Sequence, residues 1–171
     1  INYTEDLPGY LHWGYNYWFD DPYGPPVKTY GPGDTHLVYP GDNGPLDSIR
    51  WEIQRESAED HEYLKLLEKK TADVKGAYDP EKIWFLDPAK RSKELGKRVV
   101  PAIVETTLDA DLVDQTRLEI VKEIKNVDST PRLIVQTFPE DRATIYTGPG
   151  LVELYGITTP GATVTIEGQE T

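Results

Sequence analysis

The chain has 171 residues, of which 30 are acidic and 18 basic, so it carries a formal charge of −12 with a pI near 4.6. A general basic field for nucleic acid or an anionic membrane is excluded by that balance. Hydrophobic residues make up 37%, with 4 Trp, 11 Tyr and 3 Phe, which supplies a core rather than a disordered acidic tail. Tyr and Trp far outnumber Phe, and rings with a polar edge suit wet interfaces and clefts that take sugars.

There is no cysteine, which rules out a disulfide framework, thiolate catalysis and Cys-based metal sites. There is no methionine either, and a start at Ile1 leads us to expect a piece of a longer precursor, with any export signal lying upstream. No apolar run reaches the roughly 18 residues of a membrane span. Neither a cofactor nor a metal site is expected: His36 and His61 lack partners at ligand spacing.

In chain order, Tyr10-Leu11-His12-Trp13-Gly14-Tyr15-Asn16-Tyr17-Trp18 alternates with period 2 and predicts a strand. Leu11, Trp13, Tyr15 and Tyr17 would share a bulky face. His12, Gly14, Asn16 and Trp18 would share a smaller, more polar one that opens at the strand end. Asp20-Asp21-Pro22-Tyr23-Gly24 reads as a loop, and Thr35–Tyr39 as a second short strand stopped by Pro40-Gly41.

A helix follows, capped by Asp47 or Ser48 and running along the face Ile49, Ile53, Ser57, Asp60/His61, Leu64 and Leu67 to Lys69-Lys70. The half-buried Asp60 needs a charged partner, for which Arg50 and Arg55 are both within reach in sequence, and Arg50 with Glu59 or Asp60 reads as a structural ion pair. Further helices are predicted over Pro88–Leu95, with Gly96 as a stop, over Val99 to about Thr106, and over Ala110–Val127. Short strands follow at Arg132–Thr137, Ala143–Tyr146, Leu151–Ile157 and Thr163–Ile166, between Gly and Pro turns.

Three segments in series carry a family resemblance: Leu11–Trp18 with Asp21-Pro22, then Leu37–Gly41 with Gly44-Pro45, then Ser48-Ile49-Arg50-Trp51-Glu52 with Glu59-Asp60-His61-Glu62-Tyr63-Leu64. Together they resemble the C-terminal part of glycoside hydrolase family 123-like catalytic domains, which are (β/α)-barrel proteins also described as a domain of unknown function. The resemblance implies an α/β fold: the C-terminal portion of a (β/α)8-type barrel with additional helices, then a small antiparallel β-module. Residues 1–70 would be the last strands and helix of the TIM-like barrel and 71–128 a helical extension; separately, Val152–Gly168 resembles the opening strands of bacterial immunoglobulin-like modules, so 129–171 would be a β-rich, incomplete immunoglobulin-like module.

The family implies a secreted or cell-surface protein acting on a glycan substrate, with β-linked N-acetylhexosaminides cleaved by substrate-assisted retaining hydrolysis. In that scheme an adjacent Asp-Glu pair orients the acetamido group and protonates the leaving oxygen. The pair is expected upstream of Ile1, so no catalytic residue is assigned within this chain. An upstream fragment of the same precursor is the expected partner that completes the barrel. The alternative is a non-catalytic glycan-binding or surface scaffold protein that retains the barrel.

Candidate sugar contacts lie where a barrel places its site, at the ends of strands. Trp18 offers a flat wall for a pyranose, and Asn16 a hydrogen bond from the same strand face. Tyr39 ends the next strand. Asp20 and Asp21 follow the first strand and suit either a turn or the binding of sugar hydroxyls. His12 is read as an interior residue.

Overall fold

The computed structural model describes residues 1–24, 29–31, 33–138, 152–166 and 169–170. Among these residues the elements in order are helix α1 (Ile49–Gly76), α2 (Lys90–Val99), α3 (Ala110–Asp128) and strands β1 (Leu133–Phe138), β2 (Glu153–Thr158), β3 (Thr165–Ile166) and β4 (Gln169–Glu170). The fold is mixed α and β. None of the helices is long and apolar enough to cross a membrane. The chain divides into two compact units, one made of Asn2 and Leu7–Glu62, the other of Ile1, Tyr3–Asp6 and Tyr63–Thr171.

In the smaller unit, the strand expected over Tyr10–Trp18 does not form. What remains is a single antiparallel bridge between Asn16 and His36, and a second between Tyr39 and Leu46. The reason is visible in the backbone: Trp18 N–H turns back to Asn16 O at 2.9 Å, so the extended run closes on itself after one bridge. Tyr17 N–H to Thr35 O at 3.0 Å and Leu37 N–H to Tyr15 O at 2.8 Å complete the contact. The barrel staves expected over 10–18 and 35–39 are therefore irregular segments in this chain. Leu11, on the bulky face, is 85% exposed.

Gly14 explains why the two segments approach so closely. A Cβ there would sit 2.6 Å from Thr35 O, against backbone that cannot swing aside. The rings of the bulky face pack largely on one another: Trp13 lies 5.2 Å from Tyr30 and 5.7 Å from Tyr17, and Tyr15 meets Trp51 edge-on at 5.7 Å. Among the described residues, Val38 and Leu37 are the buried hydrophobic residues of this unit.

Helix α1 begins as expected at Ser48, whose Oγ accepts from Trp51 N–H at 3.3 Å and donates to Leu37 O. The helix continues past Lys70 to Gly76, because Thr71 and Val74 extend the buried row begun by Leu64 and Leu67. Its first half behaves differently: Ile49 and Ile53 are exposed, as is Ser57, whose hydroxyl returns to Ile53 O at 2.8 Å.

In the larger unit, Leu64, Leu67, Val74, Leu95, Ile120, Ile124 and Val127 form one core with Tyr3. A second cluster joins Ile83, Phe85, Leu86 and Ile157, with Ile134 packed against both. Gly96 does not stop α2 but lies inside it. A Cβ there would come within 2.7 Å of Thr4 Cγ2, so the glycine is a packing contact rather than a terminator. The helix expected over Val99–Thr106 is a turn held by Thr107 N–H to Val99 O at 2.9 Å and by an Ala102–Glu105 bridge. Helix α3 forms where its amphipathic pattern predicts, with Asp109 accepting from Leu112 N–H at 3.2 Å as its cap.

Strands β1 and β2 pair antiparallel, with Leu133 opposite Thr158 and Phe138 opposite Glu153. Strands β3 and β4 form a second two-stranded pair. The strand expected at Ala143–Tyr146 lies outside the described residues.

Candidate functional site

The sequence-predicted contacts lie in the smaller unit, where a chain of interactions links most of them. Tyr23 stacks on Tyr39 with ring centroids 5.1 Å apart and an interplanar angle of 14°. Its hydroxyl donates to Pro40 O at 2.6 Å, which fixes the ring in place. Tyr39 is half-buried and meets the His36 ring edge-on at 4.8 Å, while its hydroxyl accepts from Arg50 Nη2 at 3.3 Å.

Arg50 is a further departure from expectation. Its Nε donates to His36 O at 3.1 Å, so the guanidinium braces the Tyr39 segment instead of pairing with Glu59. Glu59 is taken by Arg55 at 2.6 Å, and Arg55 also holds Glu52 at 2.9 Å. Gly33 leaves room for the brace: it sits at a φ of +80°, and a Cβ there would lie 2.8 Å from three atoms of the Arg50 side chain.

His36 is half-buried, with Nδ1 2.9 Å from Thr35 Oγ1 and Nε2 shielded from solvent without a hydrogen-bond partner among the described residues. Burial first, and then the Arg50 charge, lowers its pKa below the ordinary 6.5. The imidazole beside Tyr39 is thus a neutral group near pH 7.

Trp18 is tied to the same segment through Nε1–H to Val38 O at 2.7 Å. That bond spends the indole donor on backbone and leaves the ring, 36% exposed, as its available surface. Asn16 is exposed, with its backbone bridged to His36. Asp21 makes a turn: Oδ1 accepts from Tyr23 N–H at 3.1 Å and its carbonyl accepts from Gly24 N–H at 3.3 Å. Asp20, beside it, is exposed. His12 is half-buried and accepts from Gly14 N–H at 3.2 Å through Nδ1.

Tyr23 is the residue that sequence reasoning passed over. It is 63% exposed, whereas Tyr39 has one ring face covered by it. A loop tyrosine sixteen positions before its stacking partner carries no periodic signal, and only its place beside the Asp21 turn hints at a fixed position. Among the described residues no group of three or more His, Asp or Glu side chains is placed to hold a metal ion.

Residues 1–67 match the family model for the glycoside hydrolase 123 catalytic domain. This segment is a glycoside hydrolase 123-like domain fragment. The match includes every candidate contact named above, from Asn16 to Tyr39, together with Arg50 and the first part of α1. No curated protein matches the chain.

Proposed function

We propose that residues 1–70 are the closing part of a (β/α)8-type barrel in a secreted or cell-surface glycoside hydrolase, that 71–128 extend that domain, and that 129–171 open an immunoglobulin-like module. The proposed reaction is retaining hydrolysis of β-linked N-acetylhexosaminides assisted by the substrate's acetamido group, with the Asp-Glu pair on another part of the precursor. This chain supplies sugar contacts: the Trp18 and Tyr23 rings as walls, and Asn16, Asp20 and Tyr39 as polar neighbours. Asp21 acts by shaping the loop that presents Tyr23.

The observation that carries this reading is the braced aromatic pair, Tyr23 on Tyr39 with Arg50 behind it, inside a segment that matches a glycoside hydrolase catalytic domain. Exposed rings held by backbone hydrogen bonds and a guanidinium are preorganised for a pyranose face. The adjacent carboxylates here have other arrangements: Asp21 closes a turn, Glu59 pairs with Arg55, and neighbouring side chains on α1 diverge by about 100°.

The test is hydrolysis of a chromogenic β-N-acetylgalactosaminide by the precursor carrying Trp18→Ala or Tyr23→Ala. Loss of turnover with either variant, in protein that remains folded, is the expected result. Wild-type turnover in both would remove these rings from the site.

A further inference from the structure

The larger unit carries a second set of rings that the proposed site does not use. Trp84 lies in the connection between α1 and α2 and is 63% exposed, although its neighbours Ile83, Phe85 and Leu86 are 2%, 9% and 0% exposed. Burial of residues on both sides leaves the indole nowhere to go but outward. The connection is also pinned on its far side: Asp87 N–H donates to Gln136 Oε1 at 3.0 Å, and Gln136 Nε2 donates to Asp87 O at 2.6 Å.

Trp84 stands at 71° to Tyr155 with centroids 5.1 Å apart, and at 88° to Phe85 at 6.1 Å. Tyr155 in turn stacks on Phe85 at 5.2 Å and donates its hydroxyl to Glu153 Oε2 at 2.9 Å. Exposed apolar surface of this size is costly to hydrate, and a ring fixed by perpendicular neighbours cannot fold back to reduce it. A flat indole packed on Tyr155, whose hydroxyl holds the Glu153 carboxylate, matches one chemistry well. The ring takes the C–H face of a pyranose, and the carboxylate accepts from its hydroxyls.

The surrounding charge agrees with a neutral ligand. The chain as a whole carries −12, which disfavours a polyanion, and the nearby Lys90 Nζ is engaged with Thr137 O at 2.6 Å and with the Phe138 ring at 3.9 Å. We infer that Trp84, Tyr155 and Glu153 form an accessory binding surface for a neutral pyranose of a glycan chain, separate in sequence from the contacts in residues 16–39. The choice of a glycan rests on the function proposed above.

The experiment is isothermal titration of the full chain with the β-linked N-acetylglucosamine hexasaccharide, comparing wild type, Trp84→Ala, Trp84→Phe and Tyr23→Ala. Circular dichroism confirms that each is folded. The expected result is affinity reduced about tenfold or more by Trp84→Ala, and largely kept by Trp84→Phe. Binding that persists in Tyr23→Ala but fails in Trp84→Ala supports this surface even if the other site is wrong. Binding lost only in Tyr23→Ala overturns it and leaves the proposed function standing. Absence of any binding to wild type overturns it as well. Concentration-dependent dimerisation in sedimentation, abolished by Trp84→Ala, would assign the surface to a second copy of the chain and refute a glycan role.

Discussion

Gly14→Ala is the most informative single change in the smaller unit. The new Cβ would lie 2.6 Å from Thr35 O, 2.8 Å from Thr35 C and 3.0 Å from Asp34 O, where ordinary contact begins at 3.4 Å. Relief therefore requires the Thr35 carbonyl to move by about 0.8 Å, judged against normal contact distances. That same oxygen accepts from Tyr17 N–H at 3.0 Å, so the displacement takes the bond out of hydrogen-bond range. Overpacking of about 1–3 kcal/mol and a lost hydrogen bond of about 1 kcal/mol give a destabilisation of roughly 2–4 kcal/mol.

The assay is urea unfolding followed by tryptophan fluorescence, with amide hydrogen exchange at Tyr17 and Leu37 to localise the effect. Gly9→Ala is the control, since nothing lies within 4 Å of its added Cβ, and its change should stay within about 0.5 kcal/mol. Equal stability and equal exchange protection in the two variants would refute the close approach of the Gly14 and Thr35 segments.

Other substitutions test neighbouring parts of the account. Trp18→Phe keeps a ring but loses the 2.7 Å bond to Val38 O, and a melt should show a cost of about 1 kcal/mol. Leu95→Ala, at a fully buried position of the larger unit, should cost about 2–5 kcal/mol in the same assay. Tyr3 is 4% exposed, and burial chiefly raises its pKa above the ordinary 10.0, with its hydroxyl bonded to Glu68 at 2.9 Å. Its contribution is complete below the unfolded value and is lost as pH rises beyond it, so alkaline titration should destabilise wild type more steeply than Tyr3→Phe. The lowered pKa of His36 has the opposite sign: its contribution is present above 6.5 and is lost as pH falls, so the protection of the Leu37 amide, measured against the intrinsic exchange rate at each pH, should fall on acidification.

Helices α1 to α3 and strands β1 and β2 were legible because their signals are local. The apolar spacing along α3 and the β-branched run of β1 need only one packed face each, and both elements form close to where the pattern puts them. The alternation over Tyr10–Trp18 equally satisfies a strand and a ring-on-ring cluster. Pairing decides between them, and among the described residues the segment finds a single bridge, to His36. Gly96 misled for a related reason, since a stop signal and a close helix contact use the same residue. At the site, Trp18 and Tyr39 could be singled out from their places at the ends of expected strands. The Tyr23 stack and the Arg50 brace could not, because each depends on a long-range contact with no fixed spacing.

The rings around Tyr39 are proposed to meet a sugar. Titration of isotope-labelled protein with methyl β-N-acetylgalactosaminide, followed by amide and indole N–H resonances, addresses it residue by residue. Saturable shifts are expected at the Trp18 indole and at the Tyr23 and Tyr39 amides. A titration in which every resonance of residues 7–62 stays fixed would contradict it.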